Sequence, residues 1–414
     1  MQTPPLAIDF GTSNTAAALA WEGGVYHIPI ERGAPTLPTA VFFPADGGTM
    51  RLGAAAADAL VAGEEGRYMA AMKRVLGLPL LSEMRWIGDR RRSLEQIVTA
   101  FLSELRGRAE AATGMRFQRA LSGRPVHFHS RAPELDARAE ADLRACYLAA
   151  GFEEVSFLAE PEAAARACRG KGGTAGAGLV VDIGGGTSDF TVFREDGADL
   201  GILASHGIRL GGTDFDQALS LAHAMPLLGL GSSLRREMGE GHVPVPAAPF
   251  VDLATRDRIP FLYTPETRRM AAGLARLAVE PERLDRLVEL IELERGHELA
   301  FAVERGKIAA NGAGGSGSIE MGFLETGLSA PVSAASFEAA LADHRRELRE
   351  AAAEALALAG VAPGEVGRVI LVGGSSLMGL VEAALRELCP RAAVFRGDAF
   401  TAVVDGLALA ARDR

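Results

Sequence analysis

The chain has 414 residues, 48% hydrophobic and 23% charged, with a formal net charge of −10. That is an ordinary globular composition, enough for two or three domains of about 150 residues or for one duplicated unit, and its acidity argues against non-specific binding to nucleic acid or an anionic membrane. Cys146, Cys168 and Cys389 are few, odd in number and widely spaced, without a C-x-x-C, which excludes a disulfide framework and a zinc site and favours a reducing compartment.

In chain order, Met1 to Pro5 lacks a basic start and an apolar core, so no leader is expected. No apolar run reaches about 18 residues, so no membrane-spanning helix is expected, and the protein reads as cytoplasmic. Leu6–Phe10 and Thr15–Trp21 flank the tight turn Gly11-Thr12-Ser13-Asn14 and predict a β-hairpin. Apolar residues at Ile97, Phe101, Leu102 and Leu105 predict a helix over 93–112. A second helix is expected over 134–150, a strand over 155–158, and a glycine-rich loop over 169–178. Leu179–Ile183 and Phe190–Phe193 around Gly184-Gly185-Gly186 predict another hairpin, 173 positions after the first. The two align at Asp9 and Asp182, with Thr187-Ser188 placed after two extra glycines, and a repeat of that length points to a duplicated domain. Further on, helices are expected over 214–224, 267–278, 282–311 and 336–359, with an irregular Pro- and Gly-rich stretch over 225–265 and a turn over 312–318. A buried strand over 366–372, a helix to about 388 and a last helix over 401–412 close the chain. Strands and helices alternate, so the fold class is α/β with two lobes.

Each hairpin turn has the chemistry to hold phosphate. Glycine lets the backbone approach a ligand closely, and successive amides of such a turn form an anion-binding nest. Thr12, Ser13, Thr187 and Ser188 add hydroxyl donors. Asp9 and Asp182 stand just before the turns, where carboxylates repel phosphate unless a cation lies between, which implies magnesium held largely through water. A lone Asp-x-Gly-Thr turn is also a common structural hairpin. A Walker loop is absent, because Gly170-Lys171 and Gly306-Lys307 are not followed by Ser or Thr. Gly373-Gly374-Ser375-Ser376, at the end of a buried strand, allows a close backbone approach by a nucleoside or forms a plain strand–helix junction.

At these motifs the chain resembles the actin-like superfamily and, within it, the heat shock protein 70 family. Ile8 to Asn14 is similar to that family's first phosphate motif and Val181 to Asp189 to its second. Glu160 to Ala165 is similar to its connecting helix, and Leu210-Gly211-Gly212-Thr213-Asp214 to the segment after the second hairpin. Glu304-Arg305-Gly306-Lys307 and Val372 to Ser376 resemble its adenosine-binding elements, and Lys73-Arg74-Val75-Leu76-Gly77 its catalytic lysine segment. Gly123 to Phe128 and Met225 to Gly231 resemble the short YegD-type members. The resemblance implies a duplicated, ribonuclease H-like fold, with lobe I over 1–178, lobe II over 179–414 and a nucleotide cleft between them. The last helix would pack back on lobe I, and no separate peptide-binding domain is expected.

By position, the resemblance assigns Lys73 to the γ-phosphate and the attacking water, Thr12 and Thr187 to the γ-phosphate, and Asp189 to a proton. Glu160, Asp182 and Asp9 would hold magnesium through its waters. ATP or ADP would be bound by Gly11, Thr12, Ser13, Asn14, Gly184, Gly185, Gly186 and Thr187. The adenosine side would use Gly211, Gly212, Glu304, Lys307, Ile308, Asn311, Gly373, Gly374, Ser375 and Leu377. Ile308 and Leu377 stand where the family places two arginines on the adenine, Gly379 replaces a proline and Phe400 an aspartate, so weak base selectivity is expected.

His127-x-His129 would put two rings on one strand face but lacks a third ligand, and Arg90-Arg91-Arg92 reads as a solvated lead-in to a helix. The functional expectation is a magnesium-dependent slow ATPase in a chaperone-like or regulatory role. Protein clients or co-chaperones are its possible partners, and nucleic acid and membrane are not. Two alternatives remain open: a small-molecule kinase of the sugar-kinase branch, in which the Lys73 segment has no role, and a non-hydrolysing actin-like scaffold.

Overall fold

The computed structural model describes residues 3–129, 132–168, 176–196, 199–312, 314–396 and 401–412. Two compact units are present. One comprises Met1–Arg209, Arg349–Leu377 and Leu385–Arg414, and the other Leu210–Leu348 and Met378–Ala384.

The first unit holds two sheets of matching topology. Strands β1 (Leu6–Phe10), β2 (Asn14–Trp21), β3 (Gly24–His27), β4 (Arg119–Arg124) and β5 (Glu154–Ala159) run in the order β5-β4-β1-β2-β3. Strands β6 (Gly176–Ile183), β7 (Ser188–Asp196), β8 (Asp199–Ile208), β9 (Val366–Val372) and β10 (Ala393–Arg396) run in the order β10-β9-β6-β7-β8. In each sheet three strands form an antiparallel meander and two more add in parallel on its first strand.

The registers correct one reading of the repeat. Asp9 pairs with Ala16, and Asp182 pairs with Asp189. The amide of Gly11 donates to the Asn14 carbonyl at 3.0 Å, and that of Gly184 donates to the Thr187 carbonyl at 3.0 Å. The hairpins therefore superpose without an insertion, and Thr187 occupies the place of Asn14. The extra glycines stand for Thr12 and Ser13, residue for residue.

Alternation along β1 sends Leu6, Ile8 and Phe10 to one face and Ala7 to the other. The large residues meet two helices, α1 (Leu94–Thr113) and α2 (Pro133–Ala149), through Phe101, Leu105, Leu143 and Tyr147, all buried. Phe10 and Phe101 lie 5.7 Å apart. Ser93 caps α1, accepting the Gln96 amide while the Gln96 side chain takes its own amide. The small face of the sheet packs on α3 (Glu160–Ala167) and α4 (Ala402–Ala411), together with Val180, Ile370 and Val372 of the second sheet. Residues this small are needed because α3 and α4 cross closely at Ala163 and Gly406.

In the second unit, two expectations change. The single helix expected over 282–311 is two, Pro281–Glu292 and Gly296–Ala310. Between them Glu294 takes a positive φ of 56°. The Tyr263 hydroxyl bridges the break, donating to the Glu294 carbonyl and accepting the Gly296 amide, each at 3.0 Å. The stretch over 225–265 is ordered rather than irregular. It carries the hairpin Ser233–Arg235 with His242–Pro244 and the helix Ala248–Ala254, which buries Phe250 and Leu253. Its prolines and glycines mark joints between short elements.

Two discounted features are also placed differently. Arg90–Arg92 does lead into α1, with Ser93 as the cap, but as a strand paired with Arg85–Ile87. His127 and His129 follow the end of β4 rather than lying on it, and the His129 ring bonds the Leu76 carbonyl at 2.7 Å. Most of the loop expected over 169–178, and Phe400, lie outside the described residues.

Candidate functional site

In the first unit the two glycine turns face each other directly. A β-carbon at Gly185 would meet the Ser13 hydroxyl at 2.6 Å, so the two turns approach closely at these positions. The first turn is braced from outside. The Thr39 amide donates to the Ser13 carbonyl at 2.8 Å, and the Thr15 and Thr39 hydroxyls share a hydrogen bond of 2.8 Å. Thr12 is half-buried and Thr187 exposed, which leaves both hydroxyls open to a ligand.

Lys73 is delivered by a short 3₁₀ turn, Met72–Val75. Ala71, just before it, sits in the left-handed region at φ 56°, a strained position for a residue with a side chain. Lys73 is buried, and its ammonium donates to Glu160 Oε1 at 2.5 Å. Glu160 is the first residue of α3, followed by Pro161, where a carboxylate meets the positive end of the helix and proline costs no hydrogen bond. Gly123 of β4 makes room for it, since a β-carbon there would stand 3.1 Å from Glu160 Cγ.

Asp9, Asp182 and Asp189 share the field of Glu160 and Lys73. Burial pushes Asp9 up to about 7, Glu160 adds to the rise, and Lys73 opposes it. Asp189 is likewise raised to about 7, by burial and then Glu160. Asp182 lies well above the usual carboxylate range, through burial first and then its three acidic neighbours. For Lys73, burial acts to lower the value, but Glu160 and Asp9 outweigh it and the net shift is upward. One ammonium thus serves four carboxylates, and the group is short of positive charge. Two glycines hold these acids. A β-carbon at Gly373, whose φ is +79°, would meet Asp182 Oδ1 at 2.6 Å, and one at Gly207 would meet Asp189 Oδ1 at the same distance.

The ligand-free protein should therefore lose stability as pH rises from acid to neutral. Asp9 and Asp189 have folded values above their unfolded ones, so the native state binds more protons between about pH 4 and pH 7. In that window stability falls as pH rises, while Lys73 stays charged and contributes no slope. Thermal midpoints should fall from pH 5 to pH 8, and Asp189→Asn should flatten that fall. A midpoint that climbs over the range, or an unaltered profile in the variant, would contradict the crowding of acids.

In the second unit, other expected residues come together. Lys307 is buried, with its ammonium 2.7 Å from Asp216 Oδ1 and 3.3 Å from the Gly212 carbonyl. Burial raises the Asp216 carboxyl and Lys307 opposes that. Glu304 lies 3.4 Å from Arg256. The Asn311 side-chain oxygen accepts the Gly379 amide at 2.8 Å, and Ile308 is 63% exposed. Gly211 caps the helix Gly212–Leu219, its amide donating to Asp214 at 2.8 Å. Gly373, Gly374, Ser375 and Leu377 belong to the first unit, where the Ser376 hydroxyl closes their turn on the Gly373 carbonyl at 2.7 Å.

Sequence reasoning missed Thr39, Gly123 and Gly207, and it left Arg74 as part of the lysine segment without a role. The guanidinium of Arg74 rests on Gly186, where a β-carbon would meet the Arg74 Cζ at 2.7 Å. None of these has a local signal, because each is defined by a partner far along the chain. Among the described residues, no three His, Cys, Asp or Glu side chains are close enough to share a metal directly, and no helix is long and apolar enough to cross a membrane.

Comparison with known proteins gives the following. The family model for Hsp70 protein matches residues 5–225. Chaperone protein DnaK of Thermoplasma acidophilum is 33% identical over 220 residues, 52% of this chain and 34% of that protein. The Chaperone protein HscA homolog of Pseudomonas paraeruginosa is 30% identical over 236 residues, 52% of this chain and 36% of that protein. Heat shock 70 kDa protein BIP3 of Oryza sativa is 28% identical over 410 residues, 92% of this chain and 52% of that protein. The chain spans from about a third to a half of the length of these relatives.

Proposed function

Because the chain belongs to the Hsp70 family and has its duplicated actin-like ATPase fold, we propose that it binds ATP with magnesium and hydrolyses it slowly, in a chaperone-like or regulatory role. The observation that carries this reading is the pair of superposable glycine turns meeting at Ser13 and Gly185, with the Lys73–Glu160 pair in the same unit. On this reading the fold works as lobe I over 1–178 and lobe II over 179–414.

The donor set fits a hydrated dication. Asp9, Glu160 and Asp182 bring carboxylate charge that a single ammonium does not neutralise, and an added dication would lower the raised carboxyls. When bound, magnesium neutralises charge on the phosphates. Thr12, Thr187 and the turn amides hold the terminal phosphate, Lys73 orients the attacking water and offsets developing charge, and Asp189 accepts its proton. Asp189 is suited to that role by its place among these acids, where burial and Glu160 raise it in the ligand-free protein. Gly211, Gly212, Glu304, Lys307, Ile308 and Asn311 would serve the adenosine, together with Gly373, Gly374, Ser375 and Leu377. The setting is cytoplasmic, and protein clients or co-chaperones are the partners.

Magnesium with ATP should raise the thermal midpoint. A ligand at 100 times its Kd adds about 2.7 kcal/mol. Apolar Ile308 and Leu377 should leave ATP and GTP affinities within about tenfold, since each lost cation–π contact is worth roughly 0.5–2 kcal/mol. No shift with saturating ATP, ADP or GTP would end this reading. Phosphate transfer that requires an added sugar or alcohol would favour the kinase.

A further inference from the structure

Lys73 stands on a turn that cannot hold itself in place. Met72–Val75 is a single 3₁₀ turn, too short for helical cooperativity, and the Leu76 amide closes it on the Lys73 carbonyl at a long 3.4 Å. Its entry is strained, since Ala71 has a positive φ, and a strained residue persists only where its surroundings fix it.

What fixes the turn lies just past its end, within the same unit. Leu76 and Gly77 are buried, and each gives a backbone group to a side chain far along the sequence. The His129 ring donates from Nε2 to the Leu76 carbonyl at 2.7 Å; a carbonyl only accepts, so this nitrogen carries the proton. Asp142 of α2 accepts the Gly77 amide on Oδ2 at 2.9 Å, a charge-assisted bond. Gly77, at φ +81°, lies against the start of the same helix: a β-carbon there would stand 2.5 Å from the Leu135 carbonyl and 3.0 Å from His129 Nε2. Two hydrogen bonds and a close backbone approach thus moor the chain directly after the lysine turn. We propose that His129 and Asp142 are positioning residues for Lys73, holding its turn on α2 so that the ammonium stays on Glu160. The assignment rests on the ATP-hydrolysis reading of Lys73 and deepens it.

Single-turnover ATP hydrolysis with magnesium and amide hydrogen exchange of the ligand-free full chain test it together. Asp142→Ala and His129→Phe should each speed exchange over residues 72–77 by about tenfold or more, as expected for a lost hydrogen bond. Each should lower turnover by about 10- to 100-fold, the cost of a misplaced catalytic group, and change nucleotide affinity by less than about threefold. Asp142→Asn keeps an acceptor and should recover most of both losses. In the Lys73→Ala background, Asp142→Ala should lower turnover by less than about twofold, because it acts only through the lysine. Equal losses in both backgrounds, unchanged exchange over 72–77, or an Asp142→Asn variant as impaired as Asp142→Ala would overturn the assignment while leaving the reading of Lys73 intact. A parent whose turnover does not respond to Lys73→Ala, or that hydrolyses no ATP, would instead remove that reading, and this assignment with it.

Discussion

Replacing Lys73 with Ala should lower ATP turnover by about 100- to 1,000-fold while changing nucleotide affinity by less than about threefold. The reason is where its charge acts. The ammonium is buried and held 2.5 Å from Glu160, so it is fixed before the reaction and needs no reorganisation as charge develops on the transferring phosphate. Removing one such preorganised donor typically costs that factor. On the proposed reading, ground-state binding rests instead on the turn amides and hydroxyls, which the substitution leaves in place. The variant also strips the Lys73 ammonium from four acidic neighbours, so Asp9 and Asp189 should move further up, and a pH–rate profile should report it. Single-turnover hydrolysis and calorimetry on the same preparations decide the matter. Turnover equal to that of the parent would remove Lys73 from the chemistry.

The largest effect on stability is expected at Gly406. A β-carbon there would fall on the Ala163 carbonyl and stand 2.8 Å from Ala163 Cα. These are backbone atoms of the facing helix, so no side chain can rotate aside and the two helices must part. Overpacking of this kind costs about 1–3 kcal/mol and sometimes more, and a backbone clash belongs at the upper end, where it outweighs the gain of roughly 1 kcal/mol from alanine's helix propensity. A net loss of about 2 kcal/mol lowers the thermal midpoint by roughly 2–4 °C. The consequence reaches the site, because α3 starts at Glu160 and moving it disturbs the pair with Lys73. Gly406→Ala should therefore lose both midpoint and turnover. A midpoint within 1 °C of the parent would show that the crossing has more slack than the structure indicates.

Much of the fold was legible because its signals are local. Alternation along Leu6–Phe10, helical spacing at Ile97, Phe101 and Leu105, and glycine at both turns each follow from short-range geometry. The Asp-x-Gly pattern marked both hairpins for the same reason, since a tight turn favours glycine. The break in the helix after Glu292 was not legible, since what closes it is the hydroxyl of Tyr263, on a preceding segment. The alignment of the two hairpins also failed by two residues when matched on Thr and Ser. What the turns share is the hydrogen bond from Gly11 to Asn14 and from Gly184 to Thr187, not the identity of the hydroxyl residues.

The sequence by itself determined the duplicated hairpins and the family, because these depend on residue chemistry within a few positions. Only the tertiary structure decided how that chemistry is poised. It brought Lys73 to Glu160 across 87 positions, crowded three aspartates beside them, set Ser13 against Gly185, and laid Arg74 on Gly186. Charge state and close approach depend on which groups share a low-dielectric space, and that is fixed by the packing of distant elements rather than by any one stretch of chain.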